Sequence, residues 1–284
     1  MKENLSEKIF TPSRVVQNLQ IALGIFSMVL HAPEIAAAAR PGQFVMVYLE
    51  RGDLLLPRPI SICDADAGAG TIEIVYQVVG KGTAVLAGLF PGCDVRILGA
   101  CGNGFRHSAK TLRPTRDRTV FSELVAIVGG GIGVPPLYFL AKEMAKSGRR
   151  ADVFLGFRDA PILEEKFREL AIGEVYVAVE NENAVRRHEY PAHRGYVTDL
   201  LTEKARDNVC EIFACGPAPM LHAIAKFSVA KKIPCQMSVE ERMACGLGTC
   251  VGCVVKVGEN YVRACTEGPV FSVDNSDSAV LHLL

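Results

Sequence analysis

The chain has 284 residues, more than one ordinary domain of roughly 100–200 residues, and so predicts at least two domains. Hydrophobic residues make up 49% and charged residues 22%, a balance that lets a core form and excludes a disordered chain. Lysine plus arginine and aspartate plus glutamate both number 31, so the formal net charge is zero. We therefore expect no global attraction to nucleic acid or to an anionic membrane.

Ten cysteines are too few for a chain of this length to be a small disulfide-stapled secreted fold. The first ten residues are polar and of mixed charge, so we expect no secretory signal. The most apolar early stretch, residues 19–30, is broken by Gln20, Gly24 and Ser27 and is shorter than the roughly 20 residues that span a bilayer. We expect a soluble cytoplasmic protein with reduced thiols, some of which bind metal or take part in chemistry.

Residues 1–108 are predicted to form a small antiparallel β-barrel. Short β-rich segments alternate with turns such as Pro41-Gly42 and Pro91-Gly92. One helical pattern, residues 83–89, interrupts them. The predicted strands include, as examples, residues 15–22, 25–30, 44–49, 71–79 and 94–98. The following segment, 106–119, is basic and is interpreted as a solvated linker.

Residues 120–232 are predicted to form an α/β domain, because strand and helix patterns alternate there and imply a parallel sheet. The predicted strands are residues 124–128, 151–156, 175–179 and 211–215. The predicted helices are residues 135–147, 163–170, 198–205 and 218–231. The tail, 233–284, is rich in glycine and cysteine, has short strands at 254–257 and 261–264, and is predicted to be a third, small domain.

The tail carries the sharpest motif. Cys245, Cys250 and Cys253 have the spacing C-x4-C-x2-C, and Cys265 follows after eleven residues. This is the spacing of a plant-type [2Fe–2S] site. The interleaved glycines Gly246, Gly248 and Gly252 allow a tight loop whose N–H groups face the sulfurs. A structural zinc site, which usually has paired C-x2-C knuckles, is the alternative.

A second motif, Gly129-Gly130-Gly131-Ile132-Gly133, follows a predicted strand and opens a predicted helix. This context suits a pyrophosphate held by backbone N–H groups. A tight turn that packs the helix on the strand is the alternative, since Val134 stands where the dinucleotide fingerprint needs its last glycine. Ala214-Cys215-Gly216-Pro217 lies at the carboxyl end of another strand, where α/β sheets bind ligands.

Two more motifs lie in the barrel region. Arg58 in Arg58-Pro59-Ile60-Ser61 could contact a phosphate, and Ser61 could hydrogen-bond a ring or a ribose. Gly82-Thr83 opens what is predicted to be the barrel's single helix. Each is more often a turn than a ligand site when it stands alone.

The order R-P-x-S, G-x-G-T, G-G-G-x-G-x-P, C-G-P-x-x-M resembles the ferredoxin-reductase family of flavoproteins over nearly the whole chain. The resemblance implies FAD on the barrel and NAD on the α/β domain. It implies flavin contacts from Arg58, Pro59, Ile60, Ser61, Val75, Tyr76 and Gln77, and pyrophosphate contacts from Gly82 and Thr83. It places Gly130, Gly131 and Gly133 at the nucleotide phosphates, and Cys215 and Gly216 near the nicotinamide.

The tail sequence, including Glu240-Glu241-Arg242-Met243-Ala244-Cys245-Gly246, looks like that of the electron-transfer subunits of B-type dihydroorotate dehydrogenases. This implies a partner, an FMN-containing dihydroorotate dehydrogenase catalytic subunit, in a heterotetramer that supplies pyrimidine biosynthesis. Two features depart from the pattern: Ala100-Cys101-Gly102 replaces a simpler glycine turn, and residues 180–194, with Arg186, Arg187 and Arg194, are unusually basic.

The implied chemistry needs no catalytic side chain. NAD exchanges a hydride, whereas a [2Fe–2S] cluster takes one electron, so FAD stands between them. Two alternatives remain open. One is an iron–sulfur flavin reductase subunit of a ferredoxin oxidoreductase or a hydrogenase diaphorase. The small subunit of an electron-bifurcating enzyme of this kind is, however, expected to have Asp where this chain has Cys245. The other is an interaction protein with a zinc-stabilised tail.

Overall fold

The structure, a computed structural model, describes residues 8–49, 52–107, 124–187 and 189–273. The described residues divide into two compact units, one within Met1–Gly104 and Glu240–Val270, the other within Phe105–Val239 and Phe271–Leu284. The division into three domains at residues 1–108, 120–232 and 233–284 stays a prediction. Most of the predicted basic linker, including Arg113, Pro114, Arg116 and Arg118, lies outside the described residues.

The first unit contains the predicted antiparallel barrel, which closes in the strand order β1-β2-β5-β4-β3-β6. Its inner side chains are branched and aliphatic, and residues such as Ile62, Ile72 and Ile74 are fully buried. The strands are β1 (Ile9–Ala22), β2 (Ile25–His31), β3 (Phe44–Tyr48), β4 (Arg58–Asp66), β5 (Thr71–Gln77) and β6 (Asp94–Cys101).

The barrel has two helices among its described residues, so the prediction of a single helix is wrong. Helix α1 (Pro33–Ala38) has only six residues, too few for a helical period to show in the sequence. Helix α2 (Lys81–Ala87) begins two residues earlier than predicted. The reason is that Gly80 precedes its first turn in extended backbone and the Thr83 hydroxyl accepts from the Gly80 N–H, which closes the turn there.

The barrel unit also contains the cysteine-rich segment. Residues 240–253 lack helix and strand, and they lead into the hairpin of β13 (Val254–Val257) and β14 (Asn260–Arg263). The first of these strands matches the prediction, and the second lies one residue earlier than predicted. The hairpin returns the chain from Cys253 to Cys265.

The second unit is built on a seven-stranded sheet in the order β10-β9-β8-β7-β11-β12-β15. The pairs from β10 to β12 are all parallel. Every residue of the central strand β7 is buried, as expected for a strand covered on both faces. The strands are β7 (Leu124–Gly130), β8 (Ala151–Phe157), β9 (Val175–Val179), β10 (Ala192–Arg194), β11 (Val209–Cys215), β12 (Cys235–Ser238) and β15 (Val270–Val273).

Helices cross between these strands, as the alternating pattern predicts. They are α3 (Pro135–Lys146), α4 (Glu164–Glu169), α5 (Glu182–Arg187), α6 (Val197–Lys204) and α7 (Ala218–Lys231). The strands β10, β12 and β15 and helix α5 were not predicted, because each has three to six residues and lacks a resolvable period.

Candidate functional site

Two motifs that are distant in the sequence meet on the barrel. Arg58 is the first residue of β4, and Gly82 lies in the first turn of α2. A Cβ atom at Gly82 would overlap the Arg58 guanidinium group, so in this structure the arginine fills the space that a side chain at Gly82 would take. Arg58 Nη1 also donates to the Leu56 carbonyl oxygen. The flat, permanently charged guanidinium is thereby held beside the start of α2, which suits a phosphate or a polar ring edge.

The other predicted flavin residues occupy neighbouring strands. Strands β4 and β5 pair with Ile62 opposite Ile74, so the segment before Ile62 and the segment after Ile74 adjoin at one end of the barrel. Along these segments exposed and buried side chains alternate in part: Pro59 and Gln77 are exposed, Ser61 is half-buried, and Ile60, Val75 and Tyr76 are buried. This edge is where the barrel brings the two predicted segments together.

Tyr76 and Thr83 are engaged within the barrel itself. The Tyr76 ring stacks on Phe26 with 5.9 Å between centroids, and its hydroxyl donates to Asn18 Oδ1 at 3.0 Å. Burial raises the pKa of Tyr76 to about 12, so the hydroxyl stays neutral. The Thr83 Oγ1 accepts from the N–H groups of Val79 at 2.9 Å and Gly80 at 3.2 Å. Both side chains therefore shape the site rather than project from it.

The four cysteines of the tail come together as two pairs. The thiol of Cys250 lies close enough to interact with Cys245, and the thiol of Cys253 lies close enough to interact with Cys265. Cys245 also lies close enough to Cys265 to act on it electrostatically. Cys253 and Cys265 are buried, Cys245 is half-buried and Cys250 is exposed. The set of four thiols is thus buried in the protein on one side and faces the surface on the other.

Backbone N–H groups of the loop point at these sulfurs, as predicted. Burial raises the pKa of Cys245, but N–H groups of Cys250, Leu247 and Thr249 overcome it and lower the pKa to about 6. The Leu247 N–H lies 3.3 Å from the Cys245 Sγ. Positive φ angles at Gly246 (67°) and Gly248 (80°) aim these groups inward. The third glycine, Gly252, does not have a positive φ, so its backbone places no such demand on it.

An ion pair ties the fourth cysteine to the loop that carries the other three. Arg263 and Glu267 flank Cys265 and form a salt bridge, and Glu267 also accepts from the Arg263 N–H at 2.8 Å. The Arg263 Nη1 donates to the Gly248 carbonyl oxygen at 3.1 Å. The bonded Arg263 side chain holds the pKa of Glu267 down to about 2, so the carboxylate keeps its charge. The sequence analysis did not predict this ion pair, although an arginine and a glutamate four residues apart on either side of Cys265 are visible in the sequence.

The paired arrangement fits a [2Fe–2S] cluster. Within residues 8–49, 52–107, 124–187 and 189–273, no three His, Cys, Asp or Glu side chains gather tightly enough for one metal ion. Zinc needs all four ligands around a single centre, whereas a [2Fe–2S] cluster takes two thiolates at each iron. Two thiol pairs with N–H groups directed at the sulfurs therefore fit the cluster better than zinc.

In the second unit the two glycine motifs lie on adjacent strands. From β7 the chain continues to β8, β9 and β10 on one side of the sheet, and β11 then lies on the other side of β7. The direction in which strands are added therefore reverses between β7 and β11. Open α/β sheets bind ligands at the carboxyl ends of the strands at such a point. Gly129 lies opposite Cys215 in the register of this pair. The structure thus brings both motifs to the position where a nucleotide is expected.

Close backbone contacts require glycine at this position. A Cβ at Gly133 would lie 2.5 Å from the Cys215 carbonyl oxygen, and one at Gly130 would lie 2.5 Å from the Met220 Sδ. A Cβ at Gly216 would lie 3.0 Å from the Gly130 nitrogen. Gly131 has a φ of 53° and open space where a side chain would be. The two motifs therefore form one continuous backbone surface.

The same edge of the sheet carries charged groups that follow β8 and β9. Glu180 directly follows β9 and is exposed, and its N–H donates to the Phe157 carbonyl oxygen at 3.1 Å. Asp159 accepts from Asn181 Nδ2 at 2.9 Å. The basic stretch is partly neutralised, because Arg186 and Arg194 both form ion pairs with Glu182, at 2.5 Å and 3.2 Å. The side chain of Arg187 lies outside the described part of the structure.

Comparison with known proteins identifies the family. The model of the iron-sulfur cluster binding domain of dihydroorotate dehydrogenase B matches residues 240–276. The electron transfer subunit of dihydroorotate dehydrogenase B (NAD(+)) from Fusobacterium nucleatum is 35% identical over 90% of this chain and 94% of its own length. The corresponding subunit from Lysinibacillus sphaericus is 38% identical over 91% of this chain and 95% of its own length. The chain belongs to the family of dihydroorotate dehydrogenase B electron transfer subunits.

A solved structure shares the fold of this dihydroorotate dehydrogenase B electron transfer subunit family member. A chain of the NADH-dependent reduced ferredoxin-NADP oxidoreductase, described in relation to flavin-based electron bifurcation, has a TM-score of 0.75 and 27% identity. The match covers 95% of this chain and 92% of that one. Among the described residues, no helix is long and apolar enough to cross a membrane.

One thiol beside the cysteine loop was not assigned a role from the sequence. Cys101, in the departure from the usual glycine turn, is fully buried at the end of β6. Burial raises the pKa of Cys101 to about 11, the Lys8 ammonium opposes the rise and Cys245 adds to it. Cys101 thus lies near Cys245 without being one of the four paired thiols, and no local sequence signal indicates this proximity.

Proposed function

We propose that this chain carries electrons between an FMN-containing dihydroorotate dehydrogenase catalytic subunit and NAD⁺, through a [2Fe–2S] cluster and FAD, in cytoplasmic pyrimidine biosynthesis. The observation that carries the proposal is the meeting of Cys245, Cys250, Cys253 and Cys265 as two thiol pairs. They meet in a chain whose curated relatives are named as electron transfer subunits of that enzyme.

Each cofactor has a candidate set of residues on this chain. The four paired cysteines would hold the cluster. Arg58 beside Gly82, with the adjoining ends of β4 and β5, would hold FAD. Backbone groups of Gly130, Gly131, Gly133 and Gly216, with Cys215, would hold NAD. The open space beside Gly131, at the junction of β7 and β11, supports the last set, because a side chain there would project into that space.

The protein's part in this function is to bind and orient. When bound, FAD accepts a hydride and releases electrons one at a time, which joins a two-electron nucleotide to a one-electron cluster. The Arg58 guanidinium group supplies charge at the flavin edge of the barrel. N–H groups around Cys245 favour the thiolate form that an iron ligand needs.

The face around Cys250 is the candidate docking surface for the catalytic subunit. Cys250 is exposed, so one side of the cluster site opens to the surface. Exposed apolar side chains flank it along the loop, with Leu247 50% exposed and Val251 60%. Met243, earlier in the same segment, is half-buried. An apolar rim around a cluster that exchanges single electrons fits a partner that covers it.

Reconstitution tests the proposal. The purified chain with its cofactors is expected to reduce artificial dyes with NADH but to form no orotate from dihydroorotate. Adding the FMN-containing subunit is expected to start orotate formation coupled to NAD⁺ reduction, measured by absorbance. The reason is that the described residues form the barrel, the parallel sheet and the cysteine-rich segment, and a substrate-oxidising barrel of about 250 residues is not among them. Orotate formation by the chain alone would contradict the proposal.

A charge at the docking surface gives a matched test of the interface. Val251 has a φ of 51°, which aspartate tolerates better than a β-branched residue, so Val251→Asp is expected to fold. It should weaken orotate formation severalfold at limiting partner concentration and leave dye reduction unchanged. Leu23→Asp, at a turn of the barrel where Leu23 is 95% exposed, is the control and should leave both unchanged. Equal effects of the two variants would remove this face as the interface.

NAD is expected to be preferred to NADP. The Glu180 carboxylate at the carboxyl edge of the sheet would repel a 2′-phosphate and accept from a 2′-hydroxyl. Glu180→Gln is expected to raise kcat/KM for NADPH relative to NADH about fivefold in dye reduction, the effect of roughly 1 kcal/mol between two charges about 4 Å apart in water. Glu169→Gln, at the end of the crossover helix α4 that leads back to the start of β9, is the control. A wild-type preference for NADPH would overturn the assignment.

A subunit of a ferredoxin oxidoreductase is the second candidate function. The similarity to the NADH-dependent reduced ferredoxin-NADP oxidoreductase supports it. Failure of reconstitution with the FMN-containing subunit, together with NADH-dependent ferredoxin reduction, would favour this candidate.

A further inference from the structure

The cysteine loop packs closely against the barrel at Gly246. Gly246, next to Cys245, is buried and has a φ of 67°. A Cβ added to Gly246 would lie 2.6 Å from Met46 Cγ and 3.1 Å from Met46 Sδ. Met46 is fully buried in β3, so its side chain has little room to move away. The loop backbone therefore rests on Met46 at a distance that only glycine permits.

A second, independent contact holds the same residue. The Lys8 Nζ donates to the Gly246 carbonyl oxygen at 2.8 Å. The Lys8 charge also acts on Cys101, which in turn is close enough to Cys245 for their charges to interact. The Lys8 ammonium group thus lies beside the loop, at the residue that follows the first cysteine. Gly246 is fixed from one side by packing and from the other by a charged hydrogen bond.

The strand beneath Gly246 is the neighbour of the strand that carries the flavin motif. In the register of β3 and β4, Met46 lies opposite Pro59 of the Arg58–Ser61 motif. In the register of β3 and β6, Met46 lies opposite Leu98, whose Cδ2 would be 3.7 Å from a Cβ on Gly246. The loop therefore sits over β3 and β6, one strand away from the candidate flavin edge.

We propose that Gly246, Met46 and Lys8 form a seat that fixes the cluster loop against the barrel and so sets the position of Cys245 relative to the flavin. The three are positioning residues, and this inference rests on the proposed function. Electron transfer between cluster and flavin depends on that position, whereas hydride exchange between NAD and FAD does not involve it.

A size exchange tests the seat. Gly246→Ala is expected to slow reduction of the cluster by NADH severalfold, while the flavin bleaches at its wild-type rate. Freeze-quench EPR of the reduced cluster measures the first rate. Gly252→Ala is the control in the same loop, because its Cβ would meet only Cys250 Sγ at an ordinary 3.7 Å. Adding Met46→Ala to Gly246→Ala removes the overlapping atoms and is expected to restore part of the rate. If Gly246→Ala instead lowers the iron content, the variant that carries both Gly246→Ala and Met46→Ala is expected to regain iron, which tests the same contact.

The outcomes separate this inference from the proposed function. If NADH does not reduce the cluster of the wild-type chain, the proposed function fails. If NADH reduces it and Gly246→Ala behaves like Gly252→Ala, or Met46→Ala restores nothing, the seat is wrong. Lys8→Met is expected to make the midpoint potential of the cluster more negative, since a nearby positive charge favours the reduced form, and Lys8→Arg should restore it. An unchanged potential in Lys8→Met would remove Lys8 from the seat and overturn the proposal as stated.

Discussion

Cys253→Ala is expected to abolish orotate formation by the reconstituted complex while NADH-dependent dye reduction through FAD continues. Cys253 is 2% exposed and lies beside Cys265, so its replacement removes one of the two thiols that would hold one iron of the cluster. Iron and sulfide analysis is expected to show a fall from about two irons per chain to a small residual amount. The EPR signal of the reduced cluster should be lost in parallel.

Cys93→Ala is the matched control for that experiment. Cys93 is a half-buried free cysteine between α2 and β6, outside the four paired thiols. Its replacement is expected to leave iron content and orotate formation unchanged. Full iron content in Cys253→Ala, or one zinc per wild-type chain without sulfide, would contradict the cluster assignment.

Arg58→Ala is expected to weaken FAD binding by about 10- to 150-fold. The variant loses a charge-assisted contact to a phosphate or to the ring edge, worth roughly 1.5–3 kcal/mol. Calorimetric titration of the flavin-free chain with FAD measures the change. The ratio of flavin to protein absorbance after gel filtration provides a second measurement.

Two further variants define what Arg58 contributes. Arg58→Lys keeps the charge but loses the planar donor fork that lies against Gly82, so it is expected to restore only part of the affinity. Arg14→Ala removes an arginine of the same barrel whose salt bridge to Asp94 is at the surface, and FAD retention should not change. Undiminished FAD binding in Arg58→Ala would count against the flavin site at the start of β4.

Much of the architecture was predictable because it depends on local patterns. The barrel and the parallel sheet follow from short β-rich segments in the first part of the chain and from alternating strands and helices after residue 124. The elements that were missed, such as α1 and β10, are too short for a period to emerge. The mistaken single helix of the barrel has the same cause.

The candidate site was predictable as a set of motifs but not as an arrangement. Cysteine spacing alone indicated a [2Fe–2S] site, because four thiols at those intervals suit little else. It did not show that Cys245 pairs with Cys250 and Cys253 with Cys265, nor that Arg263 bonds to the loop. Those contacts depend on how the β13–β14 hairpin returns the chain.

The sequence by itself determined the types of element, the cysteine ligands and the glycine turns, since each is encoded by residues that are neighbours in the chain. Only the tertiary structure decided which of these neighbourhoods touch. It placed Arg58 against Gly82, Gly133 against Cys215, and Gly246 between Met46 and Lys8. The physical reason is that such contacts arise from strand register and packing between distant segments, and a glycine required by a clash leaves the same letter in the sequence as one required by a turn.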